Sequence, residues 1–302
     1  MGITEMRNQQ ALTELAQSFT FTFDAQTSSL NLEAINLRVD QTTLSGQLGI
    51  QSFDTPAIRF DLSMDTLVLD SYLPPKPPQD KEEEEKPVAD FEIALPTQVL
   101  RTLDVNGTLK IGEMTHEKLV LKAVEADLNA KQGLITLAPL RAEVFDSTLT
   151  LSSRLDIREK TPSYGLDVSA PSIPVADVQA VFMDKVYLTG RGSVEARLTS
   201  QGQWFSELKA SLNGSGDMHL KDGAVQGINL AQMIRDAKAK LSGSTAKAES
   251  EPKQTDFSEL VANVTIKQGR ISDREILAMS PFLRVNATGF ADLKDESMDL
   301  LV

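Results

Sequence analysis

Cysteine is absent from the 302 residues, and only two histidines are present, His116 and His219. These absences remove thiol catalysis, thiolate metal sites and the histidine clusters that hold many transition metals. They also leave little material for a Ser-His-Asp site. Aromatics are scarce, with 12 Phe, 3 Tyr and 1 Trp. Lysine and arginine total 30 against 43 aspartates and glutamates, a net charge of −13. That balance argues against nucleic acid, whose phosphates must be met by basic clusters, and against tight electrostatic docking on anionic headgroups. Long hydrophobic runs are also missing, so no segment reads as a bilayer-spanning helix. The N-terminal MGITEMRNQQ has no basic segment followed by an apolar run and does not read as a signal peptide. A natural targeting segment is expected outside these residues.

What is present is alternation. Phe19, Phe21 and Phe23 fall on one side of a strand that follows a short helix expected at Leu12 to Ala16. Leu30, Leu32 and Ala34 repeat the pattern, and Ile35, Leu37 and Val39 continue it in the opposite phase. A period of two that slips by one predicts a bulge at Ala34-Ile35. Further alternating runs cover Leu44 to Ile50 and Ile58 to Met64, with a leucine-rich end at Leu67 to Leu73. PPKPPQDKEEEEKP, Pro74 to Pro87, then interrupts everything, because proline cannot join a ladder and adjacent glutamates repel. The organisation expected is an N-terminal β module over 1–73, a linker or loop over 74–90, and a larger β region over 91–302. That region contains a polar loop at 242–255.

The chain also repeats itself. LNLEAINLRVD, Leu30 to Asp40, matches LVLKAVEADLN, Leu119 to Asn129, including the phase slip after the alanine. Thr43 to Ser63 pairs with Thr148 to Ser169, and Leu121 to Val144 corresponds to Phe257 to Val285, sharing Lys-Gln-Gly outright. Periods of roughly 90 to 135 residues fit a module of several antiparallel strands reused in a continuing sheet. Helices are the minority, expected at Pro96 to Leu103, Pro174 to Phe182, Trp204 to Leu212 and Ile228 to Leu241. The fold expected is mainly β, a long curved antiparallel sheet, groove-like, built from repeated strand modules with a few short helices and one longer helix.

Little of this carries chemistry. Asp61, Asp156 and Asp167 sit on the polar phase of alternating strands, and nothing in their spacing singles out a glycosidase pair. GSGD at Gly214 to Asp217 lacks the spacing and the lysine of a phosphate loop. Asn106-Gly and Asn213-Gly read as turns, both histidines as surface residues, and Trp204 as an anchor for the helix after it. Catalytic, cofactor and metal residues are therefore expected to be none. The apolar phase of the strands remains, either an ordinary closed core or an open groove, and the residues alone favour the core.

The segment Asn213 to Leu241 concentrates the distinctive features. It reads as a strand, a tight turn at Asp222-Gly223 with Gly227 at the helix entry, and an amphipathic helix with Ile228, Leu230, Ile234 and Ala237 or Leu241 on one stripe. That stripe is expected to pack against one end or face of the sheet. With its Gly-x-Gly, strand, Asp-Gly and helix order, set by Asp222, Gly223, Gly227, Asn229 and Leu230, the segment resembles the C-terminal region of the AsmA family of bacterial envelope proteins. Thr255 to Leu293 reinforces the likeness through the turn glycine Gly269, the pair Ser280-Pro281, and the ending Gly289, Asp292 and Leu293. Phe145-Asp146-Ser147 departs from it, standing where the family usually has Tyr-Gly-Gly. The resemblance covers most of the chain from about Phe91 onward.

The resemblance implies a periplasmic body of repeated β units behind an inner-membrane helix outside this chain. It further implies a likeness to grooved bridges that move phospholipid, with roles in outer-membrane assembly and lipid homeostasis. The family offers no catalytic residues to carry over. The expected partners are phospholipid acyl chains, with envelope or outer-membrane assembly proteins as the alternative, in which the chain is a structural scaffold. An enzyme acting on envelope lipids or glycans ranks third.

Overall fold

In the computed structural model, residues 18–26, 28–53, 57–72, 90–241, 253–280 and 284–301 are described. The helix expected at Leu12 to Ala16, the linker apart from Asp90, most of the polar loop, and Pro281 lie outside them.

The alternating runs become strands β1 (Ser18–Ala25), β2 (Leu30–Val39), β3 (Thr42–Ile50) and β4 (Ala57–Val68). After α1 (Thr97–Thr102) come β5 (Asp104–His116), β6 (Leu119–Lys131), β7 (Leu134–Val144), β8 (Ser147–Asp156) and β9 (Ser163–Pro174). The rest alternates helix and strand at first: α2 (Val175–Phe182), β10 (Arg191–Gln201), α3 (Phe205–Ser211), β11 (Asn213–Gln226) and α4 (Leu230–Leu241). Four strands finish it, β12 (Gln254–Lys267), β13 (Arg270–Met279), β14 (Arg284–Asp292) and β15 (Ser297–Leu301).

Among the described residues these form one 15-stranded sheet whose spatial order is the chain order. The order runs from β1 to β15 without returning, so the sheet is open rather than a barrel. Neighbours are antiparallel with one exception: β4 and β5 are parallel, Phe60 lying opposite Gly107. The pattern of apolar residues does not distinguish the two modes. Direction here follows from the connection between β4 and β5, which is long enough to return to the starting end. This pair also joins the segments on either side of the linker into one sheet.

The phase slip at Ala34 is a true bulge. Ala34 holds a left-handed φ of 50°, and the pairing with β3 shifts between Leu32 and Ile35. Its repeat partner Ala123 does the same, at φ 47°, with a shift against β7 between Lys122 and Glu125. The left-handed residue flips the alternation, so Leu121 and Val124 both enter one buried cluster with Ile111, Ala142 and Val144. The shared Lys-Gln-Gly motifs are matched hairpin turns, Gln132-Gly133 at φ 51° and 83° and Gln268-Gly269 at φ 49° and 78°.

Three turns expected from sequence are not turns, and the first, Asn213-Gly214, opens β11 in register with Thr199 and Leu198. Asn106-Gly107 lies inside β5, where Gly107 makes room for the Phe60 ring: a Cβ there would sit 2.5 Å from Phe60 Cγ. Asp222-Gly223 lies inside β11, which continues to Gln226. Asp222 takes the left-handed conformation at φ 50°, as Ala34 and Ala123 do, so it marks a third bulge-like kink following Leu220-Lys221. The turn into α4 comes later, at Gly227, φ 92°.

Helices sit at strand ends. Arg101 of α1 donates to the carbonyls of Ile157 and Glu159 beyond β8. The Leu212 carbonyl after α3 accepts from the Gly269 N–H in the β12–β13 turn. Trp204 caps α3, its backbone N–H donating to Glu207 Oε2, and Phe205 stacks on Phe91 with centroids 5.0 Å apart. Asp90 adds bonds to the N–H and hydroxyl of Ser206. At the opposite end, Val175 of α2 packs on a second buried cluster of Leu220, Phe257 and Leu260.

Candidate functional site

Partners in register share a face of the sheet, so the pairings trace rows across it. One row begins at Phe23 and passes through Leu32, Leu48, Phe60, Gly107, Leu128 and Leu137. It continues through Ser153, Leu166, Leu198, Gly214, Ile266, Ile271, Ala291 and Met298. Every strand contributes one residue, and Ser153 is the single polar side chain. A parallel row from Ile35 through Gly46, Leu62, Leu109, Ala126, Leu140, Leu151, Val168, Ala196 and Gly216 to Val264 is apolar or glycine throughout.

The neighbouring row on the other face is the complement: Asn31, Gly49, Arg59, Asn106, Asn129, Thr136, Arg154, Gly165, Thr199 and Asn213. Ion pairs gather on this polar face. Arg59 meets Asp104 at 2.8 Å, and that hydrogen bond holds the Asp104 carboxyl below its usual range. Asp156 is held lower still, first by the side-chain hydrogen bond from Arg158 and then by Arg154 at 2.8 Å. His219 pairs with Glu259 at 2.6 Å here too.

The first apolar row is part-buried between exposed ends. Among its side chains only Ile266 is buried, and its two ends, Phe23 and Met298, are 64% and 70% exposed. A closed core would have removed the middle of this row from water. The residues alone favour a closed core, and the middle of this row is covered only in part. The buried clusters lie toward the strand ends that carry α2 and α4, where β5 to β8 and β11 to β13 pack.

The motif residues do not converge on one point. Gly223 lies against Thr189, where a Cβ would come within 2.1 Å of the carbonyl oxygen and 2.5 Å of Phe257 Cζ. The Gly227 N–H donates to the Lys253 carbonyl, Asn229 Oδ1 accepts the Gln232 N–H at 2.8 Å, and Leu230 is the first residue of α4. Asn229 is thus the helix cap. Gly269, Asp292 and Leu293 meet at the other end, where the Leu293 N–H donates to the Gly269 carbonyl and Asp292 Oδ1 accepts the Lys294 N–H. Gly289 lies within β14 opposite Leu300, and Ser280 follows β13.

Other groupings are structural. Asp70, His116 and Glu117 place ligand-type atoms within 4.8 Å of one another. Asp70 is already engaged by His116 Nδ1 and by the Glu117 N–H, both at 2.7 Å, clamping the 3-10 turn Leu69–Ser71 to the end of β5. A recess of about 760 Å³ under α3 is lined by polar groups including Arg154, Lys160, Gln201 and Glu207, and it is not on the apolar face's open middle. Sequence reasoning found the apolar alternation but missed the continuity of the rows, which depends on register across every pair.

A sequence profile of the AsmA family matches residues 3–276. The chain is similar to Protein AsmA of Escherichia coli strain K12, 20% identical over 294 residues that make up 93% of this chain and 48% of that protein. It therefore spans about half the length of the curated relative it matches. No solved structure matches. Among the described residues no helix is long and apolar enough to cross a membrane.

Proposed function

The chain belongs to the AsmA family, and from that premise we propose that it is a non-enzymatic module of the bacterial cell envelope that holds phospholipid acyl chains along its apolar sheet face. The carrying observation is the row from Phe23 to Met298, apolar or glycine at all but Ser153 across the 15-stranded sheet and only part-buried. At about 4.8 Å between strands, such a row is roughly 65 Å long. One leaflet of a bilayer core is about 15 Å, so the track exceeds a single acyl chain several-fold.

The mechanism is hydrophobic burial, about 0.8 kcal/mol for each CH2 removed from water. Headgroups remain in solvent beyond the strand ends. Because the row is nearly uniform, a chain displaced by one strand spacing exchanges one aliphatic contact for another. Binding energy then varies little along the track, which favours sliding over trapping. In the family plan, the sheet stands in the periplasm, attached through an inner-membrane helix outside this chain, and supports outer-membrane assembly and lipid homeostasis.

Native mass spectrometry and lipid extraction of the purified chain test the reading. Phospholipid should accompany the protein, and the delipidated protein should take up a fluorescent fatty-acyl probe that phospholipid displaces. Leu128→Asp with Leu166→Asp should abolish uptake. A folded chain that carries no lipid and takes up no probe would sink the proposal.

The alternative is a scaffold for outer-membrane protein assembly. It is favoured by the terminal strands β1 and β15, each with a neighbour on one side only among the described residues. Such edges accept a partner strand. Cross-linking in cells separates the two readings: lipid adducts along the apolar row support carriage, whereas one recurring protein at a terminal edge supports the scaffold.

A further inference from the structure

Helix α4 is mounted the opposite way from an ordinary surface helix. At about 100° per residue, Met233, Ile234 and Leu241 gather on one side and Gln232, Asp236 and Ala239 on the other. The polar side is the half-buried one. The apolar side faces outward, with Met233 59%, Ile234 39% and Leu241 90% exposed. Burial normally selects the reverse orientation, so this stripe lacks its usual partner in the sheet.

A second exposed apolar group lies beside the foot of this helix. Phe182, Met183 and Tyr187 are exposed on the loop after α2. That loop is held in place by Gln179, whose side chain accepts from the Tyr187 N–H and donates to the Leu188 carbonyl. It is tied to the end of β11 by the bond from the Gln226 N–H to the Tyr187 carbonyl, one residue before the Gly227 turn. Ile228, also exposed, stands between the two groups in sequence.

The charge around the stripe identifies its occupant. Across α4 and the 182–187 loop, Lys185, Arg235, Lys238 and Lys240 outnumber Asp184 and Asp236, in a chain whose net charge is −13. Lys238 is exposed and lies at the border of the apolar stripe, where its stem can lie along apolar surface while the ammonium reaches outward. An outward apolar stripe, a bordering lysine and adjacent aromatics are the features of a helix lying in a bilayer interface. Acidic residues elsewhere in the chain are screened at distances beyond about 8 Å at physiological salt.

We propose that α4 and the Phe182–Tyr187 loop form a docking surface for a lipid bilayer bearing anionic headgroups. This stands apart from acyl-chain carriage on the sheet, since the surface would bind a membrane even if the apolar rows carried nothing. Vesicle flotation of the full chain tests it, with vesicles of phosphatidylcholine alone or with one-third phosphatidylglycerol. The expected result is flotation with the anionic vesicles at least tenfold stronger than with the neutral ones. Met233→Ser/Leu241→Ser should lose at least tenfold of that binding with unchanged melting, because these side chains are mostly in water, and adding Ile234→Ser to make the apolar triple variant should deepen the loss. Lys238→Glu/Lys240→Glu should erase the preference for phosphatidylglycerol. Leu128→Asp/Leu166→Asp, which disables the sheet face, should float normally. Absence of flotation by the wild-type chain, or flotation of the apolar triple variant equal to wild type, would overturn the proposal. So would sedimentation showing that the stripe only joins two copies of the chain.

Discussion

Truncating a leucine on the open face should cost far less stability than truncating one in a buried cluster, and the difference measures how open the face is. Leu220 is 0% exposed and packs in the cluster with Phe257 and Leu260, whereas Leu166 lies only part-buried in the middle of the apolar row. Leu→Ala removes about three carbons, worth roughly 2.4 kcal/mol when fully buried. At Leu220 a cavity term adds to this, bringing the loss to about 3–5 kcal/mol. At Leu166 part of the side chain already meets water and no closed cavity forms, so the loss should be roughly 1.5–2 kcal/mol. Urea denaturation of delipidated Leu166→Ala and Leu220→Ala against wild type reads the comparison. Saturating phospholipid should then raise the cost at Leu166 toward the buried value, since the acyl chain supplies the missing neighbours, and leave Leu220 unchanged. Equal losses at the two positions without lipid would refute the open face.

Three further outcomes follow from single contacts. Gly223→Ala places a Cβ against the Thr189 carbonyl and the Phe257 ring, so backbone must shift, and thermal melting should report a loss of about 2 kcal/mol or more. Asn229→Ala removes the cap on the Gln232 N–H, about 1 kcal/mol, and should speed amide exchange in α4 while leaving the melting of the sheet unchanged. Asp156 has its folded-state pKa depressed, so the stability it contributes is present above the unfolded carboxyl pKa near 4 and is lost as pH falls toward the folded value. Asp156→Asn should therefore melt below wild type at pH 7, with the gap closing between about pH 4 and pH 2.

The strands were legible because each obeys a local rule. A period of two with one apolar phase specifies a strand with one greasy face, and the slip at Ala34 specified a bulge for the same reason. The repeat carried the bulge to Ala123 and the Gln-Gly turn from residues 132–133 to 268–269. What could not be read was long-range. The parallel pairing of β4 with β5 depends on the route of the chain between them, and Gly107 looked like a turn residue because its reason, the Phe60 ring, lies on another strand. Asp222-Gly223 misled in the same way: Gly223 is small because Phe257 and Thr189 crowd it, not because the chain reverses there.

The choice between core and groove was out of reach for a different physical reason. Alternation states that one face of each strand avoids water, but not whether another layer of the same chain arrives to cover it. Coverage is decided by register and layer count: the rows line up across every strand pair, and the four helices lie at strand ends. Amphipathicity has the same blind spot in α4. Its stripe was visible in the spacing of Ile234 and Leu241, and packing on the sheet was the reasonable expectation from that spacing. The structure turns Gln232 and Asp236 inward instead, and leaves Met233, Ile234 and Leu241 in solvent. A pattern of apolar residues thus fixes which side of an element is greasy, while the fold decides whether that side is spent on the protein's own core or presented outward. In this chain α4 turns Met233 and Leu241 outward, while the apolar rows of the sheet are covered only in part.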